Sequence, residues 1–376
     1  MSAPHLSLGM EEEYLLVDPV SRDLLADPPP DILKGCEARL GSRVSPEFLR
    51  AQIEVGTPVC ASIHELRTEL TELRRCVSEV AAANGAAVIA ASTHPFANWQ
   101  PQKTTKRDRY LQLEQDLGVP LRRLLICAMH VHVGVEDPEL RIDLMNQVRY
   151  FLPHLLALTT SSPFWQGDIS SLKSYRLAVF DELPRTGMPE TYLSYGEYEK
   201  HLRALIDVGV IEDGTKVWWD VRPSARFPTL EMRICDICTR IDDAVAVAAL
   251  FVSLLRMLWR LKRMNVLWRR YKTFLINENR WRAMRYGIDQ GLIDFGKVAM
   301  VPYADLLEEL LVMTEEDAAA LGCTAEVAHA RKILTTGTSA HAQVRVYEEA
   351  VAAGADKKEA LQAVVDWLIE ETKRGA

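Results

Sequence analysis

Leu124-Leu125-Ile126-Cys127-Ala128-Met129-His130-Val131-His132-Val133-Gly134-Val135-Glu136 is the stretch on which the reading of the whole chain turns. It is apolar and rich in branched residues, which predicts a buried strand. Alternate residues of a strand share a face, so His130 and His132 stand side by side on an otherwise apolar element. They are either a pair of satisfied core histidines or a pair of metal ligands.

The pattern recurs, and recurrence favours ligands. Glu11 and Glu13 stand two apart in Leu8–Val17, and Gln52 and Glu54 in Phe48–Val55. Asp220 and Arg222 follow Val217-Trp218-Trp219, and Glu231 and Arg233 lie in Leu230–Ile234. If these runs share a sheet, one of its faces carries carboxylates, imidazoles and guanidinium groups. Burying such charges unpaired is costly, so the face calls for cations and anions to balance it. Divalent metal and a phosphorylated substrate would do so, and carboxylates with histidine suit Mg²⁺ or Mn²⁺.

The chain has 376 residues, 48% of them hydrophobic, enough for a substantial core. A net charge of −8 argues against general nucleic-acid binding. Glu11 to Glu13 interrupt the start, so no signal peptide is expected. Ala244 to Leu261 is apolar but holds Arg256 and Arg260, and reads as a buried helix rather than a membrane span. Seven scattered cysteines fit a reducing, cytoplasmic setting. The lone Cys235-Asp236-Ile237-Cys238 has no partner pair and is not expected to make a zinc or redox site.

Taken in order, the first strand covers residues 6–18. A second strand region spans Val44 to Thr57. Ser62 with Glu65 predicts a capped helix running to Asn84-Gly85. Ala86 to Ala91 is a short strand leading into Ser92–Trp99, a polar and aromatic loop in which Thr93 and His94 are binding candidates. Lys106, Arg107, Arg109 and Tyr110 open a short helix. Ser161 to Glu190 is long for a connection and reads as a lid or as a solvated loop. Lys216–Arg222 and the Glu231 strand form a hairpin with a wide connection. Everything after Arg240 reads as helical. There Asn279 to Gly287, with Asn279 and Arg285, is a basic, aromatic segment able to grip an anion. No glycine-rich phosphate loop, dinucleotide fingerprint or nucleophile elbow is present.

Six motifs occur together in the chain: Gly9–Tyr14, Ser92–Phe96, Met129–Gly134, Ser161–Pro163, Trp219–Ser224 and Leu230–Arg233. In their order and spacing they resemble the family-2 glutamate–cysteine ligases, or YbdK-type carboxylate–amine ligases, over residues 7–372. These belong with glutamine synthetase and the guanidino kinases. The resemblance implies an α+β fold: an antiparallel sheet with a concave ATP- and metal-binding face, backed by helices, in one catalytic domain over 1–376. The part from about 240 onward would be helical.

The resemblance also implies the chemistry. A carboxylate takes the γ-phosphoryl group of ATP, and an amine displaces phosphate to give an amide. Glu11, Glu13, Glu54, His130 and Glu231 match metal ligands, with Mg²⁺ or Mn²⁺ as the ion. Arg233, Arg222 and His132 match catalytic positions, His132 facing phosphate or substrate. Arg176, His94, Thr93, Arg109, Arg285 and Asn279 are expected to bind ATP or substrate. Glu12 should point to the opposite face. The expected partners are small-molecule carboxylates and amines and, from the family, a second copy in a homodimer. A guanidino phosphotransferase and a non-catalytic nucleotide or amino-acid sensor are the competing readings.

Overall fold

The computed structural model describes residues 4–376, without the side chain of Arg109. Its centre is a seven-stranded antiparallel sheet. In chain order the strands are β1 (Leu8–Val17), β2 (Val44–Pro46), β3 (Gln52–Gly56), β4 (Ala87–Ile89), β5 (Met129–Gly134), β6 (Val221–Pro223) and β7 (Thr229–Met232). Across the sheet the order is β6-β7-β5-β1-β3-β2, with β4 also paired to β1. The fold is α+β, as expected.

Strand alternation sorts the two faces. In β1, Leu8, Met10, Glu12 and Tyr14 are buried, while Gly9, Glu11 and Glu13 line the opposite, partly open face. The buried face rests on helices Ile63–Ala83 and Ile241–Arg263. The second of these is long and apolar enough to cross a membrane, but most of its apolar window is buried inside the protein. One cluster of buried apolar side chains runs from Leu6 to Ile369.

Glu12 points away from the cleft, as expected, and is fully buried against Arg74 of helix Ile63–Ala83. The guanidinium meets both carboxylate oxygens at 2.7 and 2.6 Å and also donates to the carbonyls of Cys238 (2.7 Å) and Thr239 (2.6 Å). Tyr14 donates its hydroxyl to the same carboxylate at 2.5 Å. A buried charge pair needs this degree of satisfaction to avoid a large desolvation cost. The cluster ties the floor of the sheet to the helix and to the chain leaving β7. Cys235 and Cys238 lie buried on this side as free thiols, their pKa values pushed up by burial.

The structure corrects three local expectations. The strand within Leu124–Glu136 is confined to Met129–Gly134, because Ile126 and Ala128 make single bridges to Thr93 and Asp236. The part after Arg240 is not wholly helical: Leu292–Asp294 pairs with Ala299–Val301. Ser161–Glu190 is not a structureless connection but is anchored to the body of the protein. Asp236 is fully buried and pins it, accepting from the backbone N–H of Ser161 (2.9 Å) and the hydroxyls of Ser162 (2.7 Å) and Ser174 (2.8 Å). The segment then forms a short helix, Arg176–Phe180, whose Val179 and Phe180 pack with Ile126 and Leu183.

Candidate active site

The register of the sheet assembles the site. Glu11 lies opposite His130, Glu13 opposite Glu54, His132 opposite Glu231, and Glu231 opposite Arg222. Directly opposed side chains are the closest cross-strand neighbours. The pairs therefore converge on the open face, in a cleft of about 520 Å³. Glu11, Glu13, Glu54, His130, His132, Arg176, Arg222, Glu231 and Arg233 all line it.

Two groups of donors in this cleft can each meet on one ion. The first is Glu11, His132 and Glu231. His132 Nδ1 lies 3.0 Å from the hydroxyl of Thr229, and its Nε2 is buried without a hydrogen-bond partner. An outer hydrogen bond that fixes one ring nitrogen and frees the other is the usual support of a ligating imidazole. His130 is fixed in the same way: its Nδ1 meets Glu11 at 3.1 Å and lies 3.5 Å from Arg233, and its Nε2 is likewise buried without a partner among the described residues. Of the two imidazoles, His132 is the one whose donor atom converges with those of Glu11 and Glu231. Burial and then the charge of Arg233 push the pKa of His130 down to about 4, so it is neutral at pH 7. Burial also acts against the charged form of His132, but Glu11 and Glu231 overcome it and raise its pKa.

The second group is Glu13, Glu47 and Glu54. Burial and the charge of Glu54 push Glu13 up to about 7, and burial with Glu13 pushes Glu47 up to about 7. Glu54 is raised well above its usual value by burial and Glu47. Three carboxylates that cannot all ionise beside one another fit a divalent cation, whose charge reverses that repulsion. Ser45 donates to Glu54 at 3.0 Å, and the backbone N–H of Ala128 donates to Glu13 at 2.8 Å. Glu47 was not singled out from the sequence. It follows Pro46 at the end of β2, outside any strand alternation.

The cationic wall is built from three arginines. Arg222 pairs with both oxygens of Glu231 at 2.9 and 3.1 Å, and also donates to the carbonyl of Val217. Arg233 pairs with the same carboxylate. Burial opposes ionisation of Glu231, but Arg233 and Arg222 more than compensate and hold its pKa far below the usual carboxylate range. Arg176 donates to the carbonyls of Ile234 (3.2 Å) and Arg233 (3.1 Å). Among the described residues, the Nε of Arg176 and the Nε of Arg233 are buried donors without partners. Such groups are costly unless something accepts from them, and an anion in the cleft would. At the mouth, the exposed ring of Phe227 stands edge-on to His132, 6.3 Å between ring centroids.

Other expected binding residues lie elsewhere. Thr93 donates its hydroxyl to Phe164 O at 2.8 Å. His94 is a structural cap: Nδ1 accepts from the N–H of Phe96 (3.2 Å) and Ala97 (3.0 Å), and Nε2 donates to Arg22 O (2.9 Å). Asn279 bonds both backbone groups of Ile293 and so ties its helix to the short hairpin. Arg285 donates to the carbonyl of Ser171 and stacks on Tyr286. Neighbouring backbone groups use up the polar side chains the sequence offered. Asp220 also turns away from the cleft, since Arg280 holds it at 2.7 and 3.2 Å. The side chain of Arg109 lies outside the described residues.

Residues 7–366 match the family model described as glutamate-cysteine ligase family 2. The chain belongs to that family. A Rhodospirillum rubrum protein named "Putative glutamate--cysteine ligase 2" is 60% identical over 376 residues, covering 99% of this chain and 97% of the relative. Among solved structures, a glutamate–cysteine ligase from Francisella tularensis in complex with AMP aligns with a TM-score of 0.70 at 13% identity, covering 99% of this chain and 89% of that one. A bifunctional glutathione synthetase from Pasteurella multocida aligns with a TM-score of 0.70 at 16% identity. Here 98% of this chain is covered but only 53% of the synthetase, so the chain spans about half of that protein. At these identities the two structures speak to the fold.

Proposed function

We propose that the protein is an ATP-dependent carboxylate–amine ligase that works with Mg²⁺ or Mn²⁺ on small-molecule substrates, in a single catalytic domain over 1–376. One observation carries this reading. Two sets of cation donors share a cleft with buried arginine N–H groups that lack an acceptor. Glutamate as the carboxylate and cysteine as the amine are the pair suggested by the relatives' names.

In this reading Glu11, His132 and Glu231 hold one cation and Glu13, Glu47 and Glu54 a second. When bound, the cations neutralise phosphate charge and polarise the transferring phosphoryl group. Arg176 and Arg233 turn their unpartnered Nε–H groups to the phosphate oxygens. A carboxylate oxygen of the substrate attacks the γ-phosphorus, the bond to ADP breaks, and an acyl phosphate forms. The amine then attacks the acyl carbon, phosphate leaves with the bonding electrons, and the nitrogen loses a proton. Apolar side chains of the cleft wall, including Leu113, Leu121 and Ile126, limit water that would hydrolyse the acyl phosphate.

The test is phosphate release from ATP with Mg²⁺, given glutamate alone, cysteine alone, both, and a wider panel of acids and amines. Release that requires both a carboxylate and an amine is expected. A stable phosphorylated product without any amine requirement would replace the ligase by a phosphotransferase. No turnover with any pair, in protein that binds nucleotide, would leave a sensor.

A further inference from the structure

A second and larger cavity, about 1260 Å³, adjoins the metal cleft, and Pro46, Gln52 and Arg107 line both. Six cationic side chains stand on its wall (Lys34, Arg50, Lys103, Lys106, Arg107 and Arg122) against the carboxylates of Glu37 and Glu114. Asp27 neutralises part of the set, pairing with Lys103 at 2.6 Å and with Arg50. Lys106, Arg107 and Arg122 have no ion-pair partner among the described residues, which leaves the wall positive in a chain whose net charge is −8. The carboxamide oxygen of Gln102, on the same wall, is buried and accepts from nothing among the described residues. Trp99 and Pro28 to Pro30 add apolar surface.

These features specify a ligand. Unpaired cations ask for carboxylates or another anion. A buried acceptor oxygen asks for an N–H. The volume exceeds the roughly 300–1,000 Å³ of an ordinary small-molecule pocket, far more than one small amino acid fills. In the proposed ligase reaction the phosphates of the nucleotide go to the arginines of the neighbouring cleft, not to this wall. Resting on the ligase reading, we propose that the larger cavity is the subsite for the non-reacting part of a substrate. That substrate is a short peptide carrying several carboxylates.

The experiment is binding by calorimetry, with triglutamate and trialanine as probes, each with and without Mg²⁺ and a non-hydrolysable ATP analogue. Triglutamate should bind at least tenfold more tightly than trialanine, and its affinity should fall as salt rises. Lys106→Glu and Arg122→Glu should each weaken triglutamate at least fivefold without changing affinity for the ATP analogue. N-acetyl-triglutamate has no amine. Its binding would mark the ligand as the carboxylate donor, and its failure beside triglutamate would mark the amine acceptor; either source satisfies the proposal. Equal affinity for the two tripeptides, indifference to both charge reversals, or no peptide binding at all would overturn it. Failure of the parent protein to bind the ATP analogue would strike the ligase reading, and the peptide results would still judge the subsite.

Discussion

Replacing Thr229 with valine asks which histidine carries a cation. The hydroxyl of Thr229 lies 3.0 Å from Nδ1 of His132, and valine keeps the shape without the hydroxyl. While the hydroxyl takes the Nδ1 proton, Nε2 keeps its lone pair toward Glu11 and Glu231. Valine removes one hydrogen bond, worth about 0.5–1.5 kcal/mol net, and lets the ring carry its proton on either nitrogen. Loss of such an outer partner lowers metal affinity by about 10–100-fold, or about 1.4–2.8 kcal/mol. Mn²⁺ affinity, read by electron paramagnetic resonance, checks it. Thr57→Val is the control: Thr57 accepts from the N–H of Met10 at 3.1 Å on the same sheet without touching His132. Unchanged Mn²⁺ affinity in Thr229→Val, or an equal loss in both variants, would refute the assignment of His132.

Glu231→Gln removes a cation donor and the partner of two arginines; turnover should fall at least about a hundredfold with the circular dichroism spectrum unchanged, and an unchanged rate would count against the site. Glu47→Gln should reduce the calorimetric Mg²⁺ stoichiometry from two ions to one, whereas two retained ions would show that Glu47 is dispensable. Arg74→Met strands the buried carboxylate of Glu12 and should cost about 3–5 kcal/mol in urea denaturation; adding Glu12→Leu should recover part of that, and a single-variant cost below about 1 kcal/mol would contradict the buried pair. Burial pushes the pKa of His94 down to about 3, against about 6.5 in an unfolded chain. Its contribution to stability is therefore complete above pH 6.5 and is lost by about 1.4 kcal/mol per unit as pH falls below that; a urea midpoint that does not move between pH 7.5 and 5 would oppose this.

How much was legible in the sequence follows from where each side chain sits. Period-two placement of polar residues on apolar runs marked β1, β3, β5, β6 and β7, and the sheet does bring Glu11, Glu13, Glu54, His130, His132, Arg222 and Glu231 into one cleft. The pattern reports a face, not a partner, so it could not say which imidazole meets Glu11 and Glu231. Register decides that, together with a threonine hydroxyl ninety-seven residues from His132. Loop residues were less legible. Thr93 and His94 are chemically suited to binding, but a loop has backbone groups to satisfy, and these side chains satisfy them; Asn279, on a helix, does the same for the hairpin strand at Ile293.

Glu47 shows the limit from the other side. Nothing in Ser45-Pro46-Glu47-Phe48 has the period of a strand, yet the turn between β2 and β3 delivers its carboxylate beside Glu13 and Glu54. A cation site of this kind is closed by whichever chain end the turn brings back, and that depends on pairing between distant strands. Strand periodicity can therefore supply two carboxylates of the trio, and only the folded turn supplies the third. The same turn carries Pro46 to the boundary between the metal cleft and the larger cavity. One short connection thus completes the proposed cation site and borders the space proposed for the rest of the substrate. A change in its length should alter metal affinity and substrate choice together, whereas a change in β1 alone should alter metal affinity first.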